Sequence, residues 1–193
     1  MNWKLLFNPF EKIPEKTLII IGIVTLIIGS LLSFQFKVIF DGIFDIHEYP
    51  PILFSQAFTA NAVNIIVLSF ILFVLGKIFN PKTRMIDIMN TAFISRIPLY
   101  FLAPMTALPP VREATNNIMA NIQDIQNMQI PTSDLVTLFA FSSVTLLFLV
   151  YSIVLIVTGF KTATNIKKWQ QYAGFAAALL VAEIISKLLI SII

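Results

Sequence analysis

Three ionisable side chains stand inside runs of residues that are otherwise apolar: Arg96, Glu183 and Lys187. A charge at the centre of a membrane helix costs about 2.5 to 3.5 kcal/mol on insertion scales, so each of the three needs a partner or a purpose. Two kinds of chemistry would supply one. Acids and bases at mid-depth can pass protons or hold a polar substrate, with Asn64, Asn90 and Ser95 as further polar lining. The same charges can instead pair and clamp helices to one another. Glu183 and Lys187 are four residues apart, share a helix face and can pair. Lys187, nearer the end of its run, can also snorkel. Arg96 lies about 10 to 15 Å into its run and Glu183 about 15 to 18 Å into its own, depths that overlap enough for an Arg96–Glu183 bridge. The clamp is the preferred reading, because no second acid stands at similar depth to complete a relay.

Other chemistry finds little support. There is no cysteine, which removes disulfides, thiolate metal ligation and thiol nucleophiles. His47 is the only histidine. With Asp45 and Glu48 beside it, it offers a metal too weak a ligand set, and neither a metal nor a cofactor is expected. The chain has no phosphate-binding glycine loop, no GxSxG elbow and no HExxH. Intramembrane aspartyl proteases use paired acids within spans, and only Glu183 qualifies. Nucleic acid is not an expected partner, since the lysines lie beside apolar runs rather than on a domain that could present them.

The elements that must position these residues are transmembrane helices. The 193-residue chain is 58% hydrophobic and 12% charged, where soluble domains run near a quarter charged. Its apolar residues come in blocks of about 20, the length that crosses a bilayer core of about 30 Å. The expected fold class is all-α, a polytopic five-transmembrane-helix bundle with spans at about 17–36, 61–79, 86–108, 133–160 and 172–193. Residues 1–16 form a leader with Pro9 and Pro14, aromatic side chains and lysines, read as an interfacial element. Residues 17–193 make one transmembrane domain.

The first span is the clearest. Twelve residues between Leu18 and Phe34 are Leu, Ile, Val or Phe, favouring insertion by roughly 6 kcal/mol. It is long for a signal peptide, and no small-x-small cleavage site follows. Pro98 and Pro104 lie inside the third span. The 118, 122, 125 spacing of isoleucines within 111–131 suits an amphipathic helix on the membrane or against the bundle. The fifth span is marginal alone, because Glu183 and Lys187 nearly cancel its apolar residues. Two stripes of small residues allow close packing: Gly22, Thr25, Gly29 and Ser33 on the first helix, and Gly174, Ala178, Ala182 and Ser186 on the fifth. Packing within the monomer is expected of them, with a homodimer as the alternative.

Charge sets the expected orientation. Lys4, Lys12, Lys16, Lys77, Lys82, Arg84, Lys161, Lys167 and Lys168 fall on one side of this map, and only Lys37 and Arg112 on the other. That bias places the N-terminus in the cytoplasm and, with five spans, the C-terminus outside.

The segments Trp3-Lys4-Leu5-Leu6-Phe7-Asn8-Pro9, Gly76-Lys77, Arg96-Ile97-Pro98 and Gly159-Phe160-Lys161, ahead of an alanine-rich last helix, resemble the Yip membrane-domain family. Those five-span proteins are named for interaction with Ypt/Rab GTPases. The resemblance covers nearly the whole chain, and many bacterial members look like this compact version. Eukaryotic members have a long cytosolic N-terminal region and an Asp-Leu-Tyr-Gly-Pro motif. Sixteen residues precede the first span here and that motif is absent, so Rab binding is not carried over. The resemblance implies a non-enzymatic integral membrane protein that acts in membrane organisation through membrane lipids or a membrane-protein partner. The alternative is a small transporter or permease subunit with a polar site around Arg96 and Glu183. An Ile-, Lys- and Asn-rich composition suits the cytoplasmic membrane of a low-GC prokaryote.

Overall fold

Apolar blocks bounded by prolines and charges become helices that differ mainly in how much of their surface is covered. The computed structural model describes residues 3–121 and 130–192. Among these, α1 (Trp3–Phe7) leads through a turn at Pro9–Glu11 to α2 (Glu15–Phe36), and a short antiparallel pair follows, β1 (Val38–Ile39) with β2 (His47–Glu48). Next come α3 (Phe54–Phe79), α4 (Met85–Tyr100), α5 (Leu102–Thr106), α6 (Pro109–Asn121), α7 (Thr132–Thr164) and α8 (Trp169–Ile190). The helices α2, α3, α7 and α8 are long and apolar enough to cross a bilayer, and α4–α5 with the bent α6 makes a fifth candidate.

α4 is the hub. Every residue from Asn90 to Tyr100 except Ile97 is buried, which is how a helix reads when neighbours cover it all round. It packs on α7 and α2, while α3 packs on α8, α2 and α4. Leu68 and Leu72 of α3, Ile88 and Ala92 of α4, Ile156 and Phe160 of α7, and Phe175 and Leu179 of α8 form the main apolar core. The rings of Phe160 and Phe175 stack there at 4.9 Å. Outward faces stay apolar: Ile20, Val24, Ile27 and Leu31 on α2 and Leu180, Ile184 and Leu188 on α8 are all exposed. That is the surface a hydrocarbon solvent selects.

The small-residue stripes are spent inside the monomer. Gly22 lies against Phe93 and Gly29 against Tyr100, so α2 rests directly on α4. Gly174 meets Phe79, and Ala182 and Ser186 are fully buried on α8.

Element boundaries depart from the sequence reading for identifiable reasons. α3 begins seven residues before the expected 61, with the Leu53 N–H donating to the Gln56 side chain at 3.0 Å across its first turn. In the region expected as one span over 86–108, α4 ends at Tyr100 and α5 at Thr106, and the axis then bends by 73° into α6. Pro98 lacks the N–H that would bond the Ile94 carbonyl, and Pro109-Pro110 starts the new direction. α7 runs four residues past the expected 160 and stops at Asn165, whose φ of 54° is the left-handed conformation that ends helices. Of the amphipathic helix expected over 111–131, α6 covers the first part; Ile122, Ile125 and Met128 lie outside the described residues.

Candidate functional site

Residues 37–53 connect α2 to α3 and are too apolar for a water-facing loop. Val38, Phe40 and Ile43 are fully buried. The β1–β2 pair and the Tyr49 N–H, which donates to the Lys37 carbonyl at 2.8 Å, close the base of this loop. Its tip, Phe40–Asp45, enters the bundle among α3, α4 and α8. A loop buried this way brings in main-chain N–H and C=O groups that no helix or sheet satisfies, and each would cost about 1 to 3 kcal/mol if left unpaired.

The intramembrane charges are what satisfy them. On one side, Arg96 Nη1 donates to the carbonyls of Gly42 and Ile43 at 3.0 and 2.5 Å. Its Nη2 donates to Asn61 Oδ1 at 3.4 Å, and Asn61 in turn donates to Ser30 and Ser33 on α2. The guanidinium lies 5.2 Å from the Phe40 ring centre and 5.8 Å from that of Tyr100, a favourable position for a cation over aromatic faces. On the other side, Glu183 Oε2 accepts from the N–H groups of Ile43 and Phe44 at 2.6 and 3.1 Å. Asn64 donates to the Phe40 carbonyl at 2.7 Å and is itself held by a short hydrogen bond from the Ser186 hydroxyl.

The expected Arg96–Glu183 bridge is therefore corrected. Both residues reach the same place, but the Gly42–Phe44 backbone lies between them, and each charge meets the end of the peptide dipole that suits it. No direct ion pair joins the two among the described residues. Gly42 makes the approach possible, since a Cβ there would fall within the Glu183 carboxylate. Lys187 pairs with Asp45 at 2.6 Å and stands 3.7 Å from Glu183. It and Asp45 are nearly half exposed at the rim, where such a pair adds little stability. His47, near the same rim, stands 3.4 Å from Asp41.

Asn90 is not part of this cluster. It lies six residues, about 9 Å of helix rise, from Arg96 toward the start of α4 and donates to the Glu15 carbonyl of α2 at 3.2 Å. Ser95 uses its carbonyl instead, accepting from Ser152 of α7 at 2.7 Å.

Sequence reasoning singled out Arg96, Glu183, Lys187 and Asn64 but missed the loop they hold, together with Asn61 and Ser30, and it placed Ser33 only in a packing stripe. The available signal was the apolar run Val38, Ile39, Phe40 and Ile43 in a stretch otherwise rich in charge. As chemistry, the arrangement uses its charges on the loop: Arg96 Nη1 and Glu183 Oε2 are both committed to main-chain groups, while Arg96 Nε has no partner among the described residues.

The Yip1 domain family model matches residues 3–190 of this chain. No curated protein and no solved structure matches it.

Proposed function

The chain belongs to the Yip1 domain family of multi-pass membrane proteins, and from that premise we propose that it is a non-enzymatic organiser of the membrane, acting through contacts with lipids or protein partners. The single observation that carries this reading is the internal use of the intramembrane charges. Arg96 is 1% exposed and its contacts are carbonyls, rings and an amide of its own chain. A transport site needs polar groups that can trade their partners for a substrate. Here those partners are backbone groups whose release would unfold the loop, which argues against the permease alternative. What remains for outside contacts is the surface. α7 is the least covered of the spanning helices, with Val136, Phe139 and Leu147 all more than 60% exposed.

We place the N-terminus in the cytoplasm. Lys12, Lys16, Lys77, Lys82, Arg84, Lys161, Lys167 and Lys168 cluster at the end of the bundle where α2, α4 and α8 begin, and Lys37 and Arg112 belong to the other end. The positive-inside bias then sets the orientation.

The test is reconstitution. Proteoliposomes are expected to be tight to ions and small polar solutes, while photo-crosslinkers at positions 139 and 147 capture lipid or a defined protein in native membranes. Solute flux abolished by Glu183→Gln, or turnover of any lipid or peptide bond, would overturn the reading.

A further inference from the structure

We propose that the chain binds a phospholipid with a primary-amine headgroup, seated where a polar cavity adjoins an apolar one at the end of the bundle that gathers the basic residues. This names the lipid for the contacts proposed above and rests on that reading.

The polar cavity, of about 460 Å³, is lined by Glu15, Arg84, Asp87 and Asn90, with Phe10 and Gly159 on its apolar side. Arg84 is its one cation and is already committed, to Asp87 at 2.9 and 2.7 Å and to Glu15 at 2.6 Å. Those two acids hold its guanidinium above its ordinary pKa range. Two carboxylates against one guanidinium leave the lining with one net negative charge. Asn90 adds a second preference. It is 2% exposed, its amide N–H₂ is engaged by the Glu15 carbonyl, and its Oδ1 has no partner. A buried acceptor without a donor is costly and rare in native structures. What this lining lacks is a donor that is also a cation, and an ammonium with three N–H groups is that donor. A free phosphate or sulfate, with no ammonium of its own, would find only a guanidinium shared between two acids.

The amphiphilic character comes from the neighbouring cavity. It is about 260 Å³, almost wholly apolar, and lined by Ile94, Ile97, Phe101 and Leu155, with Leu5 and Leu6 at its N-terminal edge. Ile13 and Leu18 belong to the walls of both cavities. From Asn90 to Ile97 along α4 is about 10 Å of rise, directed toward the bilayer centre. A polar, acceptor-rich chamber at the interface with an apolar slot beneath it has the shape of a lipid's head and first chain segment. α1 borders the slot, with its Leu6 and Phe7 carbonyls accepting from Tyr151 and Thr158 of α7 at 2.9 Å each.

The test uses the full chain in detergent and native mass spectrometry, with dioleoyl phosphatidylethanolamine, phosphatidylcholine and phosphatidylglycerol added separately at equal concentration. Phosphatidylethanolamine is expected to be retained several-fold over both others, since the choline headgroup keeps the charge but has no N–H to donate. Asn90→Leu should lower that retention about tenfold, the loss expected of one hydrogen bond to a charged group. Ile97→Trp, which fills the slot, should abolish it. Should Asn90→Leu fail to fold, the wild-type ratio and Ile97→Trp decide. Equal retention of phosphatidylethanolamine and phosphatidylglycerol overturns the proposal, as does retention unchanged in Ile97→Trp. Displacement by free ethanolamine at equal concentration would also overturn it, making the chamber a small-amine site. Solute flux abolished by Glu183→Gln would sink the broader function whatever the lipid ratios. Lost headgroup selection without flux sinks this site alone.

Discussion

A guanidinium enclosed in the middle of a bundle needs acceptors for the N–H groups it carries in, and at position 96 the carbonyls of Gly42 and Ile43 serve Nη1 while the Asn61 side chain serves Nη2. The mirror-image need of Glu183 is met by the N–H groups of the same two peptide units. The chain's letters marked both side chains as out of place, and marked Asn64 and Lys187 with them. They could not reveal the partners, because a peptide dipole has no letter of its own. Asn90 misled for a related reason: its type suited the site, but its turn of α4 faces the start of α2. Gly42 offers a direct check on the loop's seat. Gly42→Ala puts a methyl into the Glu183 carboxylate and should cost about 1 to 3 kcal/mol, the range for overpacking a filled core. Gly174→Ala, whose added carbon would stand 3.2 Å from the flexible edge of Phe79, should cost less than about 1 kcal/mol. Thermal melts of the two variants in the same detergent would rank them, and equal melting points would mean that Glu183 does not sit against residue 42.

At the scale of elements, four apolar blocks became helices long enough to span much where periodicity and breakers put them, because hydrocarbon leaves the backbone few alternatives, and the third block became the bent α4–α6. The misplaced boundaries belong to local chemistry that composition hides: Gln56 reaching back to Leu53, the proline at 98, and a left-handed Asn165. The α2–α3 connection was the largest omission. It carries charged residues, yet its apolar ones are drawn into the bundle and stapled there. The α2–α4 contact, by contrast, was legible as a stripe of small residues, and it carries its own test. A Cβ at Gly29 would lie within the Tyr100 ring, so Gly29→Ala should separate the two helices and lower stability by about 1 to 3 kcal/mol. Ser-for-Thr exchange at the exposed Thr162 serves as the neutral comparison, and a Gly29→Ala melt no lower than that control would show that α2 does not rest on α4 there.

The molecule as a whole is a bundle whose polar interior is closed upon a loop and whose apolar exterior faces its surroundings. Orientation can be read directly, because the natural chain has no cysteine to mask. Single cysteines at Lys82, between α3 and α4, and at Tyr49, in the α2–α3 loop, stand at opposite ends and are both exposed. A membrane-impermeant maleimide should label position 49 in intact cells and position 82 only after permeabilisation. The reverse pattern would invert the orientation while leaving the fold untouched.

The central claim is that Arg96 and Glu183 hold opposite faces of the Gly42–Phe44 backbone and do not pair with each other, and a charge-swap cycle tests it most directly. Arg96→Glu, Glu183→Arg and the double swap would be compared by folded yield in detergent. A glutamate at 96 faces carbonyl oxygens and an arginine at 183 faces amide protons, so each swap sets like against like. The prediction is that both single variants fail and the double variant recovers nothing, since a peptide dipole cannot be exchanged along with its charges. Recovery of folded protein in the double swap would show a direct ion pair and contradict the account.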